Sequence, residues 1–294
     1  MKNWWKRLNG KVKAREPLKK HTTFKIGGPA RLFIEPRDIA DLKVLINALK
    51  RYRIPLLVIG AGSNILVSDS GINAVVVRLA SPYFRRCSFK KELLEVGAGC
   101  KLSRTIADAC NRGLSGIEFL SGIPGTIGGA LAMNAGAWGS SISDKVLDVR
   151  VMDYNGRIKD LGREEIEFLY RNSSLRKYII LSCRLQLQED KCSAIKTRIE
   201  KYLKERKERQ DLSAASAGCV FKNPPGAQAG RLIDSCGLKG KRVGGAEVSL
   251  KHANFILNKD HATAADVLSL INLIRKTAQQ KCNITLEPEI EIWK

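Results

Sequence analysis

The sequence lacks the short motifs that most directly indicate a metal or nucleotide site. It has no C-x-x-C pair among eight cysteines and no H-x-x-x-H pair among three histidines. We therefore expect no metal, no structural zinc and no disulfide framework. The phosphate loop G-x-x-x-x-G-K-[ST] is absent, and Gly97 and Gly99 precede Leu102 where G-x-G-x-x-G needs a third glycine. A doubly wound dinucleotide fold is therefore not supported.

Long hydrophobic runs are also missing. No apolar stretch reaches the roughly 20 residues that a membrane-spanning helix needs. The basic segment 1–20 lacks the apolar centre of a signal peptide. We therefore expect a cytoplasmic protein without a membrane partner. Its scattered cysteines are expected to pack mostly as small apolar side chains in a reducing compartment.

Acidic residues are few, since 29 Asp and Glu stand against 51 Lys and Arg, which gives a net charge of +22. A nucleic-acid-binding protein would cluster its basic residues on one face with aromatic residues among them. Here they are spread along the chain and are densest in 1–20 and 191–209. We favour a basic surface that attracts an anionic substrate by long-range steering, with no specific nucleic-acid partner.

Glycine is concentrated in residues 113–139, GLSGIEFLSGIPGTIGGALAMNAGAWG, where it fills eight of 27 positions. An interior glycine costs a helix ~1 kcal/mol relative to alanine, so an ordinary helix is not expected. Apolar residues such as Ile127, Leu131 and Trp138 favour burial, which excludes a flexible linker. We predict an ordered, turn-rich path whose backbone contacts a large cofactor. A glycine-rich crossover without a ligand is the alternative.

A second glycine loop, GAGSN at residues 60–64, follows a predicted buried strand at 56–60. Successive backbone N–H groups in such a turn can bind an anion, and Ser63 and Asn64 add side-chain donors. The loop is a phosphate-binding candidate. Taken alone, it is equally consistent with a plain connection.

Periodicity and capping signals predict an α+β chain. Asp38 should begin a helix, a charged helix should cover 190–209, and Thr263 with Asp266 should form a capping box. Residues 146–161 should form a hairpin with a two-residue Asn155-Gly156 turn. We predict three parts: a basic leader, a cofactor-binding domain and a C-terminal substrate-binding domain, at residues 1–20, 21–188 and 189–294.

Taken together, several segments resemble one family, the UDP-N-acetylenolpyruvoylglucosamine reductases. They are HTTFKIGGPA, GAGSNILV, GIEFLSGIPGTIGGALAMNAGAWG, YRNSS, SAGCVFKNP, GRLIDSCGLKGKRVGGAEVS, HANFILN and LEPEI, which run from residue 21 to 292. The short spacing from Tyr170 to Cys219 resembles the shorter, type II-like subclass. The resemblance implies an α+β fold. In it, an FAD-binding unit of the vanillyl-alcohol-oxidase (PCMH) type with two subdomains precedes a smaller α+β substrate-binding domain.

The resemblance also implies an activity. It is the NADPH-dependent, FAD-mediated reduction of UDP-N-acetylglucosamine enolpyruvate to UDP-N-acetylmuramate, a step of peptidoglycan precursor synthesis. A hydride passes from flavin N5 to the enolpyruvyl group, and a proton follows. FAD should be non-covalent, because no Cys or His occupies a family position for covalent attachment. A monomer is expected. Family members serve cell-wall biogenesis, and with it cell shape and division.

Three residues match the family's catalytic positions. Arg171 would stabilise the developing enolate or bind the carboxylate, and Cys219 would donate the proton where the family often has serine. Glu289 would orient the donor or help hold the enol. Without the resemblance, Arg171 would be a surface residue, Cys219 a small core residue and Glu289 a solvated strand residue, as Glu291 is taken to be. A thiol with a pKa near ~8.5 releases a proton far more readily than an aliphatic hydroxyl.

The remaining site residues follow from the same motifs. Tyr170, Lys222 and Asn223 would bind the UDP-sugar, and Arg209 its diphosphate. Arg206 also qualifies for the diphosphate, because Gln210-Asp211 departs from the family's usual Q-P. The predicted FAD-binding residues are Gly60, Ala61, Gly62, Ser63, Asn64, Ile65, Gly122, Ile123, Pro124, Gly125, Thr126, Gly128, Gly129, Ala130, Asn134, Gly136 and Ala137.

Two other functions remain open at this point. Another flavin enzyme of the same fold, such as an oxidase, would share the glycine loops but not LEPEI or GCVFKNP. A basic nucleic-acid-binding protein would show salt-dependent affinity that persists after flavin is removed.

Overall fold

The computed structural model describes residues 4–212 and 214–294. Six α-helices occur in this part of the chain. In chain order they are α1 Ile39–Tyr52, α2 Leu102–Cys110, α3 Ile127–Ala132, α4 Cys192–Arg209, α5 Ala229–Ser235 and α6 Ala264–Cys282. The predicted charged helix is therefore confirmed as α4. None of the described helices combines the length and the apolar character that a membrane span requires.

The described residues also form twenty short strands. They are β1 Lys11–Ala14, β2 Ala30–Glu35, β3 Leu56–Val58, β4 Ile65–Val67, β5 Ile72–Val77, β6 Cys87–Lys90, β7 Leu93–Gly97, β8 Leu114–Ser115, β9 Gly136–Ala137, β10 Ser140–Ser141, β11 Val146–Met152, β12 Ile158–Gly162, β13 Phe168–Leu169, β14 Asn172–Ser173, β15 Ile179–Gln186, β16 Gln188–Glu189, β17 Arg242–Val243, β18 Ala246–Val248, β19 Ile256–Asn258 and β20 Glu291–Trp293.

The chain divides into two compact units, each built from separate stretches of sequence. The first unit contains the described residues of Met1–Ala14, Leu32–Gly60 and Ala74–Lys204. The second contains those of Arg15–Arg31, Ala61–Asn73 and Glu205–Lys294. Each has its own hydrophobic core. The predicted domains 21–188 and 189–294 are continuous segments and stay a prediction.

Two sheets organise the first unit. The five-stranded sheet has the order β12-β11-β15-β7-β6 and is antiparallel throughout. The four-stranded sheet has the order β1-β2-β5-β3, and its β3 and β5 run parallel. The apolar face of α1, formed by Leu42, Leu45, Ile46 and Leu49, is buried in the same core. Asp38 caps α1 by accepting the Asp41 N–H, as predicted.

The second unit is built on α6 and a small antiparallel sheet, β17-β18-β19. Thr263 and Asp266 form the predicted capping box at the start of α6. The apolar face of α6, including Val267, Ile271 and Ile274, lies in the unit's core. The C-terminal strand β20 pairs in parallel with β4. It covers Glu291–Trp293, so the strand predicted in ITLEPEIEIWK is shorter than expected.

The predicted basic leader forms ordered structure where it is described. Residues 1–3 lie outside the described residues. Trp4–Arg7 form one 3₁₀ turn, Lys11–Ala14 are an edge strand, and the side chain of Asp41 accepts the N–H groups of Asn9 and Gly10 at 2.9 Å. The segment 4–14 is therefore an integral part of the first unit.

The hairpin between β11 and β12 is confirmed, but its predicted two-residue turn is wrong. The N–H of Asp153 bonds the carbonyl of Arg157, so three residues lie in the loop. Within this loop, Gly156 is the one residue in the left-handed region, at φ +81°. The Asp153 carboxylate accepts the N–H groups of Asn155 and Arg157, which stabilises this longer turn over the two-residue form.

The glycine-rich stretch differs from its prediction in two places. It contains the helix α3, which includes Gly128 and Gly129 and is capped by Thr126. A Cβ on Gly128 would lie 2.9 Å from the Cβ of Ala98, so glycine permits this helix to pack closely. Trp138 was expected to be buried, yet it is 38% exposed, and its ring is tilted by 33° against that of Tyr202 with the ring centroids 4.4 Å apart.

Candidate functional site

Close backbone approach distinguishes the glycine-rich stretch in the first unit. A Cβ on Gly60 would lie 2.7 Å from Thr126 Oγ1, and one on Gly125 would lie 3.0 Å from Leu102. Gly122 has φ +78°, which favours glycine. At Gly60 and Gly125 the added Cβ would meet side-chain atoms, whereas at Gly128 it would lie 2.9 Å from the Cβ and 3.2 Å from the carbonyl oxygen of Ala98. Within residues 122–129, glycine is therefore favoured at Gly122 by the positive φ and at Gly128 by close packing.

Part of this stretch already uses its N–H groups inside the protein. The N–H groups of Ile127 and Gly128 bond the carbonyls of Cys100 and Ala98, and that of Gly129 bonds Thr126 Oγ1. Ala130 lies in the core of the unit. The expectation that the whole Gly122–Gly129 run supplies donors to a phosphate therefore does not hold for residues 127–129.

The GAGSN loop offers the better donor set. Gly62 has φ +65° and is buried, and an added Cβ would lie 2.1 Å from the His21 carbonyl oxygen. Among the hydrogen bonds of the described residues, none has the N–H of Ala61, Gly62 or Ser63 as its donor. Such successive N–H groups suit an anionic group such as a pyrophosphate. Ile65 follows at once as the first residue of β4.

Asn64 was predicted to contact the cofactor, and the structure shows a second use for it. Its Nδ2 donates to the carbonyl of Glu289 at 3.0 Å, and its own carbonyl accepts the Glu291 N–H at 2.9 Å. The residue thus joins the GAGSN loop to the LEPEI segment within the second unit.

Arg171 lies in a tight turn of the first unit. It follows Tyr170 between β13 and β14, where Leu169 pairs with Asn172. Arg171 has φ +56°, a left-handed conformation that non-glycine residues rarely adopt. Its Nη1 donates to the carbonyl of Gly136 at 2.9 Å. A strained non-glycine residue held in this way is typical of functional sites.

Neighbouring polar side chains hold this turn in place. Asn134 Nδ2 donates to the Leu169 carbonyl at 3.1 Å, and its Oδ1 accepts the Ser143 N–H at 3.3 Å. The buried Ser173 hydroxyl lies 2.9 Å from the carbonyl of Leu131 at α3. Asn134 and Gly136, both predicted to bind FAD, are therefore structurally coupled to Arg171. Ala137 continues the same path as the second residue of β9.

Cys219 belongs to a segment of the second unit that is held on both sides. The backbone of Cys219 forms an isolated antiparallel β-bridge with that of Phe255. The side chain of Asn254, 3% exposed, accepts the Phe221 N–H at 2.9 Å and donates to the Phe221 carbonyl at 2.8 Å. The Asn254 carbonyl also accepts the Val220 N–H at 2.8 Å. The backbone that carries Cys219 is thereby clamped.

The opposite side of this segment carries Glu289. The Glu289 N–H donates to the Val220 carbonyl at 2.7 Å, Phe221 bridges Pro288, and Lys222 N–H donates to the Glu287 carbonyl at 2.9 Å. The residue next to Cys219 is thus hydrogen-bonded to Glu289. The structure therefore brings together two segments that are far apart in the sequence.

The predicted substrate-binding residues differ in their surroundings. Tyr170 is 53% exposed, with the Arg171 guanidinium 5.2 Å from its ring centre. Lys222 Nζ lies 3.2 Å from a Glu287 carboxylate oxygen. Asn223 Oδ1 accepts the Ala229 N–H at the start of α5. Arg209 is exposed and lies 3.6 Å from Glu205 one helical turn earlier.

One positioning residue was missed by the sequence reasoning. Asn254 lies in HANFILN, a segment used only as a family match, and no role was given to its amide. The signal was available: a polar residue between Ala253 and Phe255, both apolar, indicates a buried amide with specific partners. What those partners are could not be read from the sequence.

Comparisons with known proteins agree with this geometry. The family model described as "UDP-N-acetylenolpyruvoylglucosamine reductase, C-terminal domain" matches residues 210–293, and the one described as "FAD binding domain" matches residues 30–162. The UDP-N-acetylenolpyruvoylglucosamine reductase of Moorella thermoacetica is 45% identical over 287 residues, covering 97% of this chain and 94% of that protein. The Clostridioides difficile reductase is 43% identical, covering 96% and 93%.

A solved structure gives the same result. The crystal structure of UDP-N-acetylenolpyruvylglucosamine reductase (MurB) from Thermus caldophilus matches with a TM-score of 0.84 at 39% identity, covering 97% of this chain and all of that one. The predicted fold, an FAD-binding α+β unit followed by a C-terminal substrate-binding part, is thereby confirmed. The chain belongs to the UDP-N-acetylenolpyruvoylglucosamine reductase family.

Proposed function

We propose that the chain is an NADPH-dependent flavoenzyme that reduces UDP-N-acetylglucosamine enolpyruvate to UDP-N-acetylmuramate. The chain is an FAD-dependent oxidoreductase of peptidoglycan synthesis, in keeping with its family and its FAD-binding domain. NADPH as the reductant, a cytoplasmic location, a monomeric state and non-covalent FAD complete the proposal. One observation carries it: the Cys219 segment is hydrogen-bonded to the Glu289 segment through Val220.

The residues present suit FAD. Two features support this fit: N–H groups at Ala61–Ser63 that are suited to a phosphate, and a glycine-rich path at 122–129 in which Gly122 has a positive φ and Gly128 packs closely on Ala98. The chemistry that FAD supplies when bound is the transfer of a hydride from NADPH to the substrate. The remaining steps belong to this chain's own side chains.

Three side chains would complete the reduction. Hydride addition to the enolpyruvyl methylene carbon leaves negative charge beside the carboxylate. The Arg171 guanidinium would stabilise that charge, because it is planar and always protonated. The Cys219 thiol would then protonate the neighbouring carbon, forming the new C–H bond as its S–H bond breaks. Glu289 would orient the donor, because its backbone is fixed at both its N–H and its carbonyl.

Binding of the anionic UDP-sugar would use the basic and exposed residues. Lys222 and Arg209 would face the diphosphate, while Tyr170 and Asn223 would contact the sugar. Asn223 would use its amide nitrogen, since its Oδ1 already accepts the Ala229 N–H. The net charge of +22 would favour encounter with NADPH and with this substrate.

The absorption spectrum tests the proposal directly. Purified protein should be yellow, should bleach with NADPH in the absence of oxygen, and should recover its colour when UDP-N-acetylglucosamine enolpyruvate is added. Recovery with oxygen but not with this substrate would instead indicate an oxidase. Colourless protein that FAD does not reconstitute would exclude a flavoenzyme.

Arg171 variants separate its chemistry from its backbone strain. We expect Arg171→Gly to lower kcat for substrate reduction by about 10²- to 10³-fold, as for the loss of other transition-state donors. Bleaching by NADPH should stay unchanged. Glycine adopts φ +56° without strain. The substitution therefore adds no backbone strain that would lower the unfolding temperature. Arg171→Lys keeps the charge and should lose less; equal kcat in all three proteins would contradict the assigned role.

A further inference from the structure

Two thiols of the second unit are in contact outside the candidate catalytic site. The Sγ atoms of Cys236 and Cys282 lie 3.9 Å apart. Cys236 follows the last residue of α5, and Cys282 is the last residue of α6. Cys236 is 3% exposed, whereas Cys282 is half-buried. Two helix ends therefore present their thiols to each other.

The backbone around both thiols is held by hydrogen bonds. Each cysteine precedes a left-handed residue that ends its helix, Gly237 at φ +74° and Asn283 at φ +54°. The Gly237 N–H bonds the Asp234 carbonyl, and the Asn283 N–H bonds the Gln279 carbonyl. Such caps define the backbone path at the two helix ends, and the side-chain torsions of the two thiols stay free to rotate.

A hydrogen bond joins the two helix ends. Lys281 Nζ, on α6, donates to the carbonyl of Cys236 at 3.0 Å. A disulfide has an S–S distance of about 2.05 Å, so the sulfurs need to approach by roughly 1.9 Å, which side-chain rotation and small backbone shifts can supply. Two cysteines cannot form a disulfide when their backbones are held too far apart. Here the hydrogen bond from Lys281 holds the two helix ends together.

We propose that Cys236 and Cys282 are a reversible oxidation site that forms an intrachain disulfide by exchange with a low-molecular-weight disulfide. The partner chemistry is that of glutathione-type disulfides. This inference is independent of the proposed reduction reaction, because it uses neither Cys219 nor the flavin.

The exchange proceeds in two steps. The more exposed Cys282 attacks as a thiolate, so that a bond forms between its Sγ and one sulfur of the small disulfide while the other sulfur leaves as a thiolate. Cys236 then attacks Cys282 Sγ, which releases the second small thiolate. Both released thiolates take up the protons that the two cysteines lost. The protein loses two electrons, and the small disulfide gains them.

Other thiols are less suited to this reaction. Burial raises the pKa of Cys87 to about 11 and also raises that of Cys183, so both are protonated at neutral pH. The Sγ of Cys110 faces the carbonyl oxygen of Cys192 at 3.9 Å. Burial also raises the pKa of Cys236, which favours Cys282 as the first thiol to react.

Oxidised glutathione added to the reduced, full-length protein tests the proposal. Two of the eight thiols should be lost, and peptide mass spectrometry should find residues 236 and 282 joined, with the mass of two hydrogen atoms missing. Dithiothreitol should restore both thiols. The disulfide closes a long loop, so the oxidised protein should unfold at a temperature higher by a few degrees.

Matched variants identify the pair. Cys192→Ser removes an exposed thiol outside the pair and should leave the cross-link intact. Cys236→Ser should instead leave Cys282 carrying glutathione, with no increase in unfolding temperature. The proposal is overturned if wild-type protein keeps glutathione on Cys282 without forming the link. A disulfide between other cysteines in place of this one would also overturn it. Activity assays are not needed, so a failure here is distinct from a failure of the proposed function.

Discussion

Replacing Cys219 with alanine should lower kcat for substrate reduction by about 10²- to 10⁴-fold, the usual contribution of a positioned general acid. The loss should be confined to the step that consumes the substrate, because NADPH-driven bleaching of the flavin needs no proton from this thiol. Rapid-mixing absorption spectroscopy follows both steps separately. The expected result is normal bleaching followed by very slow recovery of colour.

Cys219→Ser is the matched control for this prediction. A hydroxyl can donate the same proton from the same position, and the family often has serine here, so this variant should retain most of the activity. Because a hydroxyl is far less acidic than a thiol, the pH profiles of the two enzymes should differ. Recovery in Cys219→Ala at a rate close to that of wild type would show that the proton comes from another group.

Replacing Asn254 with alanine should have the largest effect on stability and should also reduce activity. The variant leaves the Phe221 N–H and carbonyl without their buried partners. Each unsatisfied group costs about 1–3 kcal/mol, so we expect the free energy of unfolding to fall by about 2–6 kcal/mol. Chemical denaturation measures this change.

The effect on activity distinguishes positioning from stability alone. Asn254 does not carry the reacting group, but it holds the segment that carries Cys219. Folded Asn254→Ala protein should therefore show a lower kcat for the substrate step with little change in NADPH-driven bleaching. Asn272→Ala is the control, because Asn272 is exposed on α6 in the same unit and should change stability by less than about 0.5 kcal/mol. Equal stability of the two variants would contradict the clamp.

Local signals in the sequence were reliable where both partners lie within one helical turn. Asp38 and Thr263 each accept an N–H three residues later, as their residue types predict. The turn at Asn155-Gly156 was wrong for a local reason as well. The Asp153 carboxylate competes for the turn's N–H groups and favours a three-residue loop, and the dipeptide rule does not consider that side chain.

Longer-range features escaped the sequence reasoning. Trp138 was expected to be buried on the basis of its hydrophobicity alone, but it packs against the ring of Tyr202 in a tilted arrangement and stays 38% exposed. The helix α3 was missed because its two glycines count against a helix. In the fold, Gly128 permits a close approach to Ala98, and packing outweighs the propensity cost.

The sequence alone determined the kind of protein this is. Its glycine-rich segments and helix caps predicted an α+β chain that holds a large cofactor, because these signals depend on residue type and short spacing. The resemblance of its ordered motifs to the reductase family implied that the cofactor is a flavin. Only the tertiary structure decided that Asn254 clamps the Cys219 segment, that Glu289 bonds Val220, and that the thiols of Cys236 and Cys282 touch. The physical reason is that such contacts join residues distant in sequence, and their partners are set by how the whole chain packs.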